Sequence, residues 1–228
     1  MRIILLGAPG AGKGTQCKNI VGKYGLLHLS SGDILRRHRA EGTALGKKAQ
    51  DYMDSGALVP DQIIIEMMIG EIEKAPGAGY ILDGFPRTAK QAKELDKSLA
   101  ANGQKIDAVL NLVIDDEVVA GRMTGRRSCP KCGAVYHVEN LKPKMQGICD
   151  HDGAKLVQRP DDAPQVVANR LQTYHRQTEP LVEYYKNSGL VFDLDADKDP
   201  NEIKALIFDK LDGLAAGVKR VSAKRIAT

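Results

Sequence analysis

Gly7-Ala8-Pro9-Gly10-Ala11-Gly12-Lys13-Gly14-Thr15 puts four glycines, a lysine and a threonine within nine residues. Glycine at that density lets backbone N–H groups converge on one point. A helix start behind the loop adds positive potential and Lys13 adds a full charge, so the group this concavity suits is phosphate. The generic phosphate loop carries Ser or Thr directly after the lysine; here Gly14 intervenes and Thr15 follows it. A second cluster lies far along the chain. Cys129-Pro130-Lys131-Cys132 is followed, after sixteen residues, by Cys149-Asp150-His151-Asp152. Two knuckles with thiolate and carboxylate donors at this separation would close a tetrahedral metal site, zinc by default, and four protein ligands leave no position for water, so the site is structural. Asp152 keeps the knuckle spacing and is the preferred fourth ligand; His151 falls one residue short, and His137 is an outside alternative. Asp83, ending the run Tyr80-Ile81-Leu82, stands where a carboxylate serves the water shell of magnesium.

The elements around these residues alternate. Arg2-Ile3-Ile4-Leu5-Leu6 reads as a buried strand ahead of the glycine loop, and residues 13 to 24 as the helix behind it, ended by Gly25. Leu26 to Leu29 reads as a strand, and Ser30-Ser31-Gly32-Asp33 as a helix start. The basic residues Arg36, Arg37 and Arg39 behind it form, on spacing alone, a solvated face. Residues 42 to 56 read as another helix pair boundary, and a helix starting at Val59-Pro60-Asp61 carries Ile63, Ile64, Ile65, Met67, Met68 and Ile72 as core. Residues 75 to 79 form a turn, Tyr80 to Asp83 a strand, and Gly84-Phe85-Pro86-Arg87 the loop at its carboxyl end, where ligands bind in such sheets. Helices over 88–101, 115–125, 165–186 and 200–211 and strands over 108–114 and 190–194 complete the pattern. Five strands separated by helices predict a parallel sheet covered on both faces.

Composition narrows the class. The 228 residues suffice for one α/β domain with insertions; aromatic content is 4%, with no tryptophan, so Ile, Leu, Val, Met and Ala must form the core. A net charge of +4 is too weak to imply nucleic-acid binding. No stretch approaches the roughly 20 apolar residues of a membrane span, and no signal-peptide apolar region precedes the glycine loop, so the chain is expected to be cytoplasmic. Clustered cysteines in a reducing compartment favour metal over disulfide. Residues 213 to 228 carry Lys219, Arg220, Lys224 and Arg225 and no acid after Leu214, and are expected to fray.

Together these segments resemble the adenylate kinase family, in its long bacterial form with a zinc knuckle in the lid. The carriers are the glycine loop with its Gly14-Thr15 ending, Ser30-Ser31-Gly32-Asp33, Asp83-Gly84-Phe85-Pro86-Arg87, Gly125-Arg126-Arg127, Val135-Tyr136-His137 and Arg159-Pro160-Asp161-Asp162. The resemblance runs from Met1 to about Leu211 and implies the five-stranded P-loop fold of nucleoside monophosphate kinases. Its core would be 1–29, 60–125 and 164–212, with an AMP flap at 30–59, a lid at 126–163 and a basic tail at 213–228. The implied reaction moves the terminal phosphoryl group of ATP to AMP, giving two ADP, with magnesium, structural zinc and a monomeric chain. Gly10, Ala11, Gly12, Lys13, Gly14, Thr15, Arg126, Val135, Tyr136 and Lys198 would serve ATP. Ser31, Arg36, Ala57, Leu58, Val59, Gly84, Phe85, Pro86, Arg87 and Gln91 would serve AMP. Arg122, Arg159 and Arg170 would meet the transferred group, Arg159 and Arg170 also reaching AMP, and Cys129, Cys132, Cys149 and Asp152 would hold the metal. Kinases of UMP, CMP or GMP are the nearest alternative. A zinc-ribbon nucleic-acid module is disfavoured because residues 126 to 163 contain a single aromatic, Tyr136, and charges of both signs.

Overall fold

The computed structural model describes all residues except Ala75, Pro76, Ala78, Ala227 and Thr228, with side chains described as far as Ala215. The expected turn over 75–79 lies largely outside the described residues. The main sheet consists of β1 (Arg2–Gly7), β2 (Leu27–Ser30), β3 (Tyr80–Asp83), β4 (Ala108–Val113) and β7 (Val191–Asp195). Their order is β2-β3-β1-β4-β7 and every pairing is parallel, as the alternation implied.

Both faces are covered, and the strand period shows how. Ile4, Leu6 and Leu82 pack with Ile64, Ile65 and Met68 of α4 (Asp61–Glu73), Leu95 and Leu99 of α5 (Ala89–Ala101) and Tyr185 of α8 (Pro180–Lys186). Ile3, Leu5 and Ile81, one residue out of phase, pack with Cys17 and Ile20 of α1 (Lys13–Tyr24) and with Ile203, Ile207 and Leu211 of α9 (Pro200–Ile226). Two further pieces follow the carboxyl ends of strands of this sheet. One is formed by α2 (Ser31–Ala40) and α3 (Ala44–Ser55), capped by the hydroxyls of Ser30 and Thr43, which accept from the N–H groups of Asp33 and Gly46. The other follows α6 (Asp116–Thr124) and contains the short antiparallel strands β5 (Arg126–Ser128) and β6 (Val135–His137), a hairpin that sequence periodicity did not reveal.

Two expectations are revised. The helix expected over 165–186 is α7 (Pro164–Thr173), a π-helical turn at Tyr174–Thr178, and then α8. Pro180 has no N–H and crowds the preceding turn, so the backbone widens and the Glu179 N–H donates to the Tyr174 carbonyl at 2.9 Å. The fray expected over 213–228 is instead a continuation of α9 as far as Ile226, the last two residues lying outside the described ones. Ala, Leu, Lys and Arg favour helix there, and no proline stops it.

Candidate active site

The glycine loop joins β1 to α1 as the pattern required. Gly10 has φ +81°, and a Cβ on it would come within 2.8 Å of Met123 Cγ, so both backbone freedom and close approach to α6 demand glycine. The Lys13 ammonium lies within the loop and donates to the carbonyls of Gly7 at 2.6 Å and Ala8 at 2.7 Å. Burial, opposed by Asp83 and reinforced by Arg87 and Arg170, brings its pKa down to about 8.

The loop after β3 is tied into the same edge. Ser31 Oγ donates to the Gly84 carbonyl at 2.6 Å, and Arg87 Nε donates to the same oxygen at 2.8 Å. Gly84 has φ +72°, and a Cβ there would lie 2.7 Å from Arg87 Nη2. The Arg87 N–H donates to Gln91 Oε1 at 2.8 Å, while buried Gln91 donates to Asp61 at 2.8 Å, fixing the loop against α4. Phe85 is buried and the Phe85–Pro86 peptide is cis. Arg36 pairs with Asp33 at 2.6 Å.

Arginines from β5 and from α7 meet two aspartates near this edge. Arg126 grips the fully buried Asp162 with two hydrogen bonds, one of 2.8 Å. Arg170 Nη1 donates to Asp161 Oδ2 at 2.7 Å and stands 3.7 Å from Asp162. Arg159 Nε donates to Ser128 Oγ at 2.9 Å. Burial and the nearby Arg36 and Arg126 guanidiniums lower the pKa of Arg159 to about 10, and burial lowers that of Arg170 to about 10 against the pull of Asp161. Arg87 is likewise lowered by burial, with Asp83 opposing and Arg36 assisting. Cations that depress one another in this way form one electrostatic unit, suited to a polyanion.

The cysteine cluster is a separate unit. Ligand atoms of Cys129, Cys132, Cys149 and Asp152 lie within 4.8 Å of one another. Cys132 Sγ is 3.6 Å from Cys149 Sγ, close to the roughly 3.8 Å edge of a tetrahedron with Zn–S bonds of about 2.3 Å. Both Asp152 oxygens are 3.3 Å from Cys129 Sγ. The two knuckles repeat one geometry. Cys129 N–H donates to Ala134 O at 2.8 Å and Gly133 N–H to Cys129 O at 3.1 Å; Cys149 N–H donates to Ala154 O at 2.9 Å and Gly153 N–H to Cys149 O at 3.0 Å. Asp152 thus occupies in the second knuckle the place Cys132 has in the first. His137 instead accepts from the N–H groups of Glu139 and Asn140 at Nδ1, and His151 is exposed outside the cluster. The donor set and spacing fit zinc.

A family model described as Adenylate kinase matches residues 5–190. The chain belongs to the adenylate kinase family. It is 49% identical over 208 residues to the adenylate kinase of Lachnospira eligens, covering 91% of this chain and 98% of that one. It is 53% identical over 192 residues to that of Caldicellulosiruptor saccharolyticus, covering 84% and 89%. With the adenylate kinase of Staphylococcus epidermidis it shares 46% over 215 residues, covering 94% and 100%.

Measured against the expectations from the family resemblance, the structure brings together Lys13, Arg36, Arg87, Arg126, Arg159 and Arg170. Arg122 instead donates to the Ala196 carbonyl at 2.8 Å, steadying the turn after β7 that holds exposed Lys198. Tyr136 is buried in the lid, its hydroxyl accepting from Asp150 N–H at 2.8 Å and lying 3.6 Å from Cys149 Sγ; Val135 is half-buried beside it. Ala57 is exposed, Leu58 half-buried and Val59 buried. Gly12 and Lys13 are half-buried, Ala11 is buried, and Gly14 and Thr15 are exposed at the start of α1. Sequence reasoning gave no role to Asp161 and Asp162. Their signal was two consecutive acids directly after Arg159-Pro160 in an arginine-rich stretch.

Proposed function

We propose that this adenylate kinase family member catalyses reversible phosphoryl transfer from ATP to AMP, giving two ADP. The observation that carries the reading is the convergence of Lys13 with Arg36, Arg87, Arg126, Arg159 and Arg170 around the carboxyl edge of a P-loop sheet, with Lys13, Arg87, Arg159 and Arg170 held at lowered pKa. The acceptor oxygen of AMP is ionised at neutral pH, so no general base is needed, and the chain's work is positional and electrostatic.

Gly10, Ala11, Gly12, Lys13, Gly14 and Thr15 would cradle the ATP phosphates, with Lys13 leaving its two carbonyl partners for phosphate oxygens. Arg126 joins them from the lid, with Val135, Tyr136 and Lys198 toward the base and ribose. Ser31, Ala57, Leu58, Val59, Gly84, Phe85, Pro86 and Gln91 would shape the AMP pocket, and Arg36 and Arg87 would hold its phosphate bidentately. Arg159 and Arg170 would span AMP and the moving group, and Arg122 would steady it from the base of the lid. Magnesium arriving with ATP neutralises charge on the phosphates, and Asp83 at the end of β3 would orient its water shell. Asp161 and Asp162 hold Arg170 and Arg126 in position, so lid closure exchanges carboxylate partners for phosphate and excludes water that would hydrolyse ATP.

The flap would be 30–59, the lid 126–163, the core 1–29, 60–125 and 164–212, and the tail 213–228. Cys129, Cys132, Cys149 and Asp152 would bind one structural zinc ion. Among the described residues no helix is long and apolar enough to cross a membrane, and the reading includes a cytoplasmic monomer. The deciding experiment is a panel assay of ADP formation from ATP with AMP, GMP, CMP or UMP as acceptor. The reading expects a strong preference for AMP; equal use of another monophosphate would overturn it.

A further inference from the structure

A second trio of metal-ligating side chains lies under the glycine loop. Cys17 in α1, His28 in β2 and Asp83 at the end of β3 each offer one donor atom, and the three atoms lie within 4.8 Å of one another. The placement follows from topology. β2 and β3 run parallel with His28 opposite Ile81 and Ser30 opposite Asp83, so His28 and Asp83 share a sheet face with Ile81. That is the face α1 covers, where Ile81 and Cys17 lie in one core cluster. His28 Nε2 is 3.4 Å from Asp83 Oδ2. Cys17 is fully buried, while the side chains of His28 and Asp83 are 29% and 13% exposed, so the trio closes on Cys17 and stays partly open to solvent at His28 and Asp83.

Thiolate, imidazole and carboxylate together select a borderline ion of the zinc type, and three protein ligands with an open side match a site that accepts water or a phosphate oxygen as the fourth. Magnesium prefers an all-oxygen octahedron and is poorly served by sulfur. The charged neighbours are Asp33, Lys13 and Arg87; Lys13 and Arg87 oppose a cation, but the Lys13 ammonium is occupied with the Gly7 and Ala8 carbonyls and Arg87 Nε with the Gly84 carbonyl.

We propose that Cys17, His28 and Asp83 form a second metal site for a zinc-type divalent ion, and that filling it inhibits phosphoryl transfer by withdrawing Asp83 from the magnesium nucleotide. The inhibitory half rests on the phosphotransfer reading; the binding half does not.

The test begins with protein whose lid cluster is already loaded with zinc. Titration with Co²⁺, without nucleotide, produces a thiolate-to-cobalt absorption band in the near ultraviolet that saturates at one ion per chain. Cys17→Ala abolishes the band while lid zinc content is retained. His28→Gln, at a half-buried position that tolerates a polar side chain, keeps a thiolate band but weakens binding at least about tenfold, since even outer-shell changes can cost that much. In turnover assays at fixed magnesium, Zn²⁺ inhibits the unaltered chain, and Cys17→Ala raises the half-inhibiting concentration at least about tenfold. A cobalt band absent from the unaltered chain, or equal in Cys17→Ala, overturns the site. A Cys17-dependent band without Cys17-dependent inhibition overturns the inhibitory half alone. Absence of ADP formation from ATP and AMP by zinc-free protein counts against the phosphotransfer reading and leaves the cobalt result standing. If Cys17→Ala does not fold, His28→Gln carries the binding test by itself, and unchanged cobalt affinity in that variant overturns the site.

Discussion

In the lid, three cysteines and an aspartate surround a point that a single divalent ion would fill; in the cleft, Lys13 and five arginines surround a volume whose charge Asp83, Asp161 and Asp162 balance only in part. The lid's own core consists of Cys129, Ala134, Tyr136, Cys149 and Leu156, so two of its five buried members are proposed metal ligands, and the ion would stand in for apolar area that the insertion lacks. The cleft lies against the main core, so its fold does not depend on the charges it displays. Its buried cations are held at lowered pKa, a state that costs stability until an anion arrives. On the proposed reading one cluster would support folding and the other turnover, and variants can separate them.

The largest expected effect is on rate. Lys13→Ala should lower kcat/KM by roughly 10³-fold, the scale of losing a preorganised charge at a developing anion, while the melting temperature stays level or rises because a buried cation is gone. Retention of a tenth of normal turnover would break the contrast. In the lid the pattern should invert. Removal of the ion by a chelator, or Cys149→Ala, should lower the melting temperature by about 6–12 °C, the shift that about 3 kcal/mol produces at this chain length. Turnover at moderate temperature should change only a few-fold. Equal losses of rate and stability would show that the two clusters are not separable.

How much of this was legible in sequence follows the same division. The glycine loop and Asp83-Gly84-Phe85-Pro86-Arg87 were readable because local backbone demands at Gly10 and Gly84 leave a signature in residue type. The central strands were readable because burial on both faces forces continuous apolar runs such as Ile3 to Leu6. The β5–β6 hairpin was not, since three-residue strands carry no period and its register depends on the knuckles. The roles of Asp161 and Asp162 were hidden for another reason. An acid beside an arginine in sequence says nothing of which arginine it meets in space, and Asp162 pairs with Arg126, thirty-six residues away. The π-turn before Pro180 and the long α9 show the limits of placing helix ends from single residues.

A smaller effect probes the link between lid and cleft. Asp162→Asn removes the buried counter-charge of Arg126 while leaving an oxygen able to accept. It should cost about 1–2 kcal/mol, seen as a fall in melting temperature of about 2–8 °C. Zinc content should be unchanged, because Asp162 lies outside the cysteine cluster. Loss of zinc from this variant would mean that the clusters are coupled through the lid base.

The smallest effect is a fraction of a proton. The pKa of Lys13 is lowered from 10.5 to about 8, so between these values the unfolded chain holds more protons than the folded one. This group's contribution to stability therefore rises as pH increases from about 8 to about 10.5, and below about 8 its burial is a constant cost. ATP reverses the balance by offering phosphate oxygens that favour the ammonium, so binding draws a proton from solvent. With a free-state pKa of about 8, uptake per ATP should be about 0.1 at pH 7, about 0.5 at pH 8 and about 0.9 at pH 9. Calorimetric titrations of magnesium-ATP in buffers of different ionisation enthalpy measure this directly. Lys13→Gln should abolish the uptake, and chelation of the lid ion should leave it unchanged, since no lid ligand contributes to the Lys13 shift. Uptake that survives Lys13→Gln would assign the proton to another group, whereas uptake that disappears on chelation would tie the charge state of the cleft to the lid.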